Sequence, residues 1–278
     1  MAGQPGHPHA IALRGICKSF DGVTLINNFD LTVAAGESVV LVGPSGSGKT
    51  TLLNIISLVD AADSGQVSLC GTNYGADQLG QPKLAYIFQR DALLPWATVE
   101  QNILLGIEAV RPVAATDVER AHALLDKVGL GGCESRYPGT LSGGQRQLVA
   151  IVQNLLLDPD ILLLDEPFSS VDLPTRLMLE REVIDLLEMA RRDRARPVTL
   201  VMVTHDIEEA IVLGSRVISV GRRHGRPLEI VRDTKVDLSL SERNPVSLRG
   251  SKLLRELFLE IYESLAEFAP SQPARIGG

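Results

Sequence analysis

The sequence predicts an α/β chain built on one large parallel sheet with a helical insertion, and three observations carry that prediction. Four short segments, Val39–Val42, Leu84–Phe88, Ile161–Leu164 and Leu200–Val203, are nearly continuous in apolar residues, the pattern of strands buried on both faces. Each runs into a polar or glycine-rich interruption: Gly43 onward, Gln89, Asp165 with Glu166, and Thr204 with His205. In an open parallel sheet ligands bind beyond the carboxyl ends of the strands, so these four interruptions point at one site. Between the second and third strands, Val99–Ile107, Asp117–Val128 and Ser142–Leu157 show helical spacing punctuated by Gly and Pro, as an inserted helical subdomain would.

Composition narrows the function classes. The 278 residues contain 45% hydrophobic and 22% charged side chains, which excludes disorder and a disulfide-built miniprotein and allows one substantial core with appendages. A formal net charge of −7 disfavours a general nucleic-acid binder, whose affinity rests on neutralising phosphates. Cys17, Cys70 and Cys133 are odd in number and widely spaced, which fits a reduced, cytosolic setting rather than a disulfide framework. Met1–Ala10 lacks the basic cluster and apolar run of a secretory signal. No window approaches the roughly 20 apolar residues needed to span a bilayer, so any work at a membrane requires another chain to cross it.

In chain order, the first chemistry lies at Gly43-Pro44-Ser45-Gly46-Ser47-Gly48-Lys49-Thr50. This satisfies G-x-x-x-x-G-K-[ST] after an apolar strand and before the helix-like Thr51–Leu58, the context the motif demands. Its glycines let backbone N–H groups curl round phosphates. Lys49 is suited to the β- and γ-phosphates, and the Thr50 hydroxyl to Mg²⁺. Ser142 is a good helix N-cap, and Gly143-Gly144 permit close backbone approach, which makes a second anion-directed helix start. Asp165 and Glu166 are adjacent acids at a buried strand end, costly to desolvate without a cation or hydrogen-bond partners, and Mg²⁺ suits Asp165. His205 can both donate and accept near neutral pH. Pro174–Arg192 and Asp206–Leu213 read as helices returning over the sheet, the former with Met178, Val183, Leu186 and Leu187 available for its inward face. After about Asp237 the texture changes, ending in a stretch with Leu254, Leu257, Phe258, Ile261, Tyr262 and Leu265 at helical spacing, read first as a helix packed on its own domain.

The run Leu141-Ser-Gly-Gly-Gln-Arg-Gln147, placed between the phosphate loop and the Asp165-Glu166 strand, resembles the signature of ABC transporter ATP-binding subunits, and the resemblance extends over roughly Ile11 to Val231. It implies a RecA-like P-loop NTPase core with an antiparallel β subdomain and an inserted α-helical subdomain. The implied nucleotide-binding domain covers 8–236, with core segments at about 8–90 and 157–236 and the helical subdomain at about 91–156. Residues 237–278 are then a C-terminal extension. The resemblance further implies an ATPase that clamps two ATP molecules in a head-to-tail dimer. Gly43 to Thr51, with Gln89 and Phe20, would contact the nucleotide held by one copy. Phe20 stands where the family's adenine-stacking aromatic lies. Ser142, Gly143, Gly144 and Gln145 would meet the γ-phosphate held by the other copy, and Asp172 would lie on a loop crossing the interface. Thr50, Gln89 and Asp165 would ligate Mg²⁺. Glu166 would polarise the attacking water, with Lys49 and His205 completing the catalytic set.

The segment from Gln89 through Trp96 to Ile103 is similar to importer subunits of the nitrate, sulfonate and taurine branch. The implied partners are a transmembrane permease, a second copy or a homologous ATPase subunit and, indirectly, a periplasmic or extracellular solute-binding protein, at the cytoplasmic face of the inner membrane. Nucleic acid is not among them. Val152-Gln153-Asn154 departs from the family's usual Ala-Arg-Ala and removes a cation there. Two rivals fit less well. A soluble ABC-type ATPase acting on ribosomes or DNA would favour a basic arm or a long coiled-coil insert, and a small-molecule kinase leaves Leu141–Gln147 unexplained.

Overall fold

A computed structural model of the chain describes residues 9–74, 83–88, 93–169, 171–192, 198–223 and 225–268, with side chains described for all of these except 190–192 and 240. Alternating apolar and polar residues open the chain as a hairpin, β1 (His9–Phe20) and β2 (Val23–Ala34), turned at Asp21-Gly22. The buried strand β3 (Ser38–Val42) leads through the glycine loop into α1 (Lys49–Ile56), which starts two residues earlier than the sequence predicts. Strands β4 (Ser64–Leu69) and β5 (Thr72–Tyr74) pair antiparallel, and β6 (Leu84–Ile87) follows. Helices α2 (Val99–Glu108), α3 (Ala115–Lys127) and α4 (Gly143–Leu156) form the inserted subdomain. Then come β7 (Ile161–Asp165), α5 (Leu173–Arg192), β8 (Thr199–Thr204), α6 (Ile207–Leu213), β9 (Arg216–Gly221) and β10 (Glu229–Lys235). Two helices, α7 (Pro245–Arg249) and α8 (Lys252–Leu265), complete the described chain.

The strands make two sheets. The larger has the order β10-β9-β3-β8-β7-β6, parallel throughout except for antiparallel β10 at the edge, and the smaller is the antiparallel β2-β1-β4-β5. Because side chains alternate across a strand, the larger sheet feeds two cores. Val39, Leu41, Leu163, Val201 and Val203 pack with α1 and the smaller sheet. Val40, Val42, Leu162, Leu164, Leu200 and Met202 pack with α2 to α8. Each such burial is worth roughly 2 kcal/mol in transfer free energy. Helix α1 therefore lies between two sheets, which fixes the phosphate loop at its N-terminus.

Two expected inward-facing side chains lie outside. On α5, Leu179, Val183, Leu186 and Leu187 are buried, whereas Met178 is 47% exposed. The buried four follow i, i+4, i+7, i+8, and Met178 lies one residue off that stripe. On α8, Leu254, Leu257 and Ile261 are buried and Phe258 and Leu265 partly so, but Tyr262 is exposed and stacks on Phe258 with ring centroids 6.0 Å apart. Helix α8 packs on α6, β9 and β10. The Val152-Gln153-Asn154 departure leaves α4 packed on α2, α5 and β6: Val152 is buried, and Gln153 Nε2 donates to the Asn102 carbonyl at 2.8 Å.

Candidate nucleotide site

The parallel pairing β3-β8-β7-β6 sets the Gly43, Thr204 and Asp165 strand ends side by side. Gly43 must be glycine, since a Cβ there would sit 2.0 Å from the Val220 carbonyl oxygen. Gly46 and Gly48 take φ of 77° and 114°, a region that favours glycine, and wrap the loop toward α1. Gly48 caps α1 without any side-chain bond, so the first N–H groups of that helix are directed at an incoming anion. Ser47 Oγ is buried without a partner, a polar atom of the kind a phosphate oxygen would satisfy. Lys49 is buried, and its ammonium donates to the Gly43 and Pro44 carbonyls at 2.8 and 2.9 Å. Burial holds its pKa below the ordinary lysine value, partly offset by the charges of Glu166 and Asp165.

Thr50 Oγ1 donates to Asp165 Oδ1 at 3.1 Å, linking the start of α1 to the end of β7. Tyr86 donates to Asn54 Oδ1 at 2.9 Å and reaches Asp165 Oδ2 at 3.5 Å. Burial raises the Asp165 pKa above the carboxylate norm, against the opposing hydrogen bond from Thr50. Burial likewise raises that of Tyr86, reinforced by the Asp165 charge. A buried carboxylate joined to a hydroxyl is the oxygen donor set that Mg²⁺ takes together with phosphate oxygens, so these residues fit that ion.

Glu166 has φ 43°, the left-handed region that a non-glycine residue rarely occupies and that recurs at functional sites. Its backbone N–H donates to the Val203 carbonyl at 3.0 Å, and its Oε2 meets His205 Nδ1 at 3.2 Å. The strand ends of β7 and β8 thus hold this carboxylate and imidazole together. Behind them lies a polar network that sequence reasoning missed. Asp206 accepts from the Glu209 N–H at 3.1 Å and pairs with Arg176 at 2.6 Å, while the Thr204 hydroxyl donates to Glu209. Burial pushes the Glu209 carboxyl up to about 8. The only linear signal is the Thr-His-Asp-Ile-Glu-Glu-Ala run itself, which does not disclose which of its acids is inside.

Ser142 is the N-cap of α4, as the sequence predicts. Ser142 Oγ accepts from the Gln145 N–H at 3.2 Å and Gln145 Oε1 accepts from the Ser142 N–H at 3.0 Å, a reciprocal capping box. Ser142 and Gly143 are exposed, while Gly144 is buried where a Cβ would meet Thr175 Cγ2 at 2.5 Å. Asp172 caps α5 by accepting from the Thr175 N–H at 3.0 Å, and hydrogen bonds from the Thr175 side chain and then from that N–H hold its pKa below the usual carboxylate range. Phe20 is half exposed at the end of β1, with Lys18 Nζ 5.0 Å from its ring centroid. Pro44 and Ser45 complete the loop and Thr51 lies in α1. Gln89 lies outside the described residues.

Comparison with known proteins decides the family. Residues 26–169 match the ABC transporter family. The chain belongs to it. It is 37% identical over 231 residues, 83% of this chain and 76% of the relative, to the aliphatic sulfonates import ATP-binding protein SsuB 1 of Pseudomonas syringae pv. tomato. It is 40% identical over 213 residues to the sulfate/thiosulfate import ATP-binding protein CysA of Methylococcus capsulatus, covering 75% of this chain and 60% of that one. Among solved structures, a dimeric post-hydrolysis state of the ATP-binding cassette MJ0796 bound to ADP and Pi superposes with a TM-score of 0.68 at 29% identity, covering 82% of this chain and all of that one. The fold is that of an ABC ATPase cassette, and the chain is an ATP-binding, ATP-hydrolysing subunit of the importer branch.

Proposed function

We propose that this ABC subunit drives uptake of a small anion of the nitrate, sulfonate and taurine kind through a membrane permease, by binding and hydrolysing ATP in a head-to-tail dimer. The observation that carries the reading is the meeting of Lys49, Thr50, Asp165, Glu166 and His205 at neighbouring strand ends. Lys49 leaves its loop carbonyls for the β- and γ-phosphates, and the loop from Gly43 to Thr51 donates its N–H groups. Thr50 and Asp165, with Gln89, would hold Mg²⁺, which when bound neutralises phosphate charge. Glu166 accepts a proton from the attacking water, and His205, oriented by Glu166 Oε2, contacts the γ-phosphate. Phe20 stacks on the base. Ser142, Gly143, Gly144 and Gln145 of a second copy close on the γ-phosphate, with Asp172 at the seam. Two facts support this geometry: the Ser142 turn is exposed, and a structural relative is a dimer.

In this reading residues 8–236 form the nucleotide-binding domain, 91–156 its helical subdomain and 237–278 an extension. Among the described residues no helix is long and apolar enough to cross a membrane. In the same reading the subunit sits peripherally on a permease at the cytoplasmic face, with a solute-binding protein delivering the anion from outside. The anion class rests on the import relatives.

The test is Glu166→Gln. ATP affinity is expected to stay within about twofold of the parent while steady-state hydrolysis falls roughly 10²- to 10⁴-fold, the contribution of a positioned general base. Near-normal phosphate release would remove Glu166 from its role.

A further inference from the structure

Helix α6, which follows His205 directly, has seven residues, far below the length at which a helix persists by itself. Its position is set by what grips it, and two of the grips come from the segment after β10. Arg243 is 1% exposed and donates to the carbonyls of Ile211, Val212 and Gly214 at 2.9, 3.2 and 2.7 Å, closing the C-terminal end of α6. Its other donors reach the Val236 and Leu238 carbonyls. Six residues on, Arg249 forks onto the fully buried carboxylate of Glu180 on α5 at 2.6 and 2.8 Å, and its Nε donates to Glu208 in the first turn of α6 at 2.9 Å. One turn nearer the phosphate end, Arg176 of α5 pairs with Asp206, the N-cap of α6.

We propose that Arg249 is a positioning residue for ATP hydrolysis: with Arg243 it braces α6 against α5 and so holds the His205 turn in register with Glu166. This rests on the role given to His205 above. A buried ion pair is a poor source of net stability, because desolvation of both charges offsets their attraction, whereas its planar fork defines one relative placement of the two elements it joins. Here those elements follow the turns that hold Asp172 and His205, which border the phosphate edge. Glu208 and Glu180 point at one guanidinium from two helices, so losing it leaves the Arg176–Asp206 pair as the remaining ionic tie described between α6 and α5 and loosens their relative placement. A displacement of the order of an ångström at a catalytic group costs up to about 10²-fold in rate.

The experiment uses the full chain. Arg249→Gln combined with Glu180→Gln leaves no unpaired buried charge, and kcat is expected to fall roughly tenfold, with KM for ATP and the thermal midpoint little changed. Arg249→Lys, which keeps the charge and loses the fork, is expected to fall between parent and double variant, and serves alone should the double variant not fold. In a His205→Ala background the same changes are expected to add nothing, since the brace acts through His205. Parental kcat in these variants, a loss that repeats undiminished without His205, or a loss that merely tracks the thermal midpoint overturns the brace and leaves His205 in place. Normal turnover in His205→Ala alone overturns the reading of His205, and the brace with it.

Discussion

At the residue scale, the site depends on side chains held where they are costly. Glu166 sits in a strained backbone region, Asp165 and Lys49 are buried, and Glu209 is almost fully enclosed. Glu209 gives a pH prediction with a definite sign. Its carboxyl rises from an ordinary 4.5 to about 8 on burial. The native state therefore keeps a proton that the unfolded chain releases above about 4.5. Its contribution to stability is complete below that value, declines as pH rises, and is gone above about 8. Glu209→Gln, which stays neutral, is expected to gain stability relative to the parent with each pH unit across that interval, by up to about 1.4 kcal/mol per unit. Denaturant melts at several pH values check this, and parallel stability curves for the two proteins would refute it. Sequence could place Glu209 beside His205 but not inside, because Glu208 and Glu209 are interchangeable as letters. Only the turn capped by Asp206 decides that Glu209 faces the Thr204 hydroxyl and Glu208 faces Arg249.

At the element scale, the legible parts are those whose ends carry local chemistry. Helices α2 and α4 begin where Thr98 and Ser142 close capping boxes with Gln101 and Gln145, a pattern visible in four consecutive letters. Strands β3, β7 and β8 were equally plain because both faces are covered, whereas β6 lies at the sheet edge with Leu84 and Tyr86 only half-buried and Phe88 exposed. What failed was the choice of inward residue at a stripe's edge: Met178 and Tyr262 are apolar enough to be counted and lie one position outside the buried line. The exposed α4 terminus also carries a prediction about assembly. Ser142→Arg keeps the nucleotide loop untouched and is expected to leave ATP affinity unchanged while abolishing ATP-induced dimerisation, with helix stability lowered by about 1 kcal/mol through loss of the cap. Light scattering with the hydrolysis-deficient protein measures this, and a persisting dimer would count against the shared site.

At the scale of the whole molecule, the sequence allows one substantial core with appendages, whereas the larger sheet feeds two apolar cores, one on each face. The segment after Asp237, whose amphipathic stretch reads as a helix packed on its own domain, does pack there: Leu248, Leu254, Leu257 and Ile261 belong to the same apolar cluster as residues of β3, β7 and β8. Arg243 is among the most enclosed side chains described. Spacing shows an amphipathic stripe without naming its partner, and the partner lies in α6, β9 and β10. Ending the chain after residue 236 is expected to bare that apolar surface and orphan the carbonyls of Ile211, Val212 and Gly214. The truncated protein should be largely insoluble or melt well below the parent, by 10 °C or so if about 3 kcal/mol is lost. Gel filtration and thermal unfolding decide it, and a soluble product with the parent's midpoint would show that the fold does not need the segment.

The ammonium of Lys49 rests on the Gly43 and Pro44 carbonyls of its own loop. A cation already lodged in the hollow acts as a placeholder, so the ring of amides around it keeps its shape between turnovers. In the proposed role of Lys49, arrival of the nucleotide is then an exchange of one set of oxygens for another around a single nitrogen.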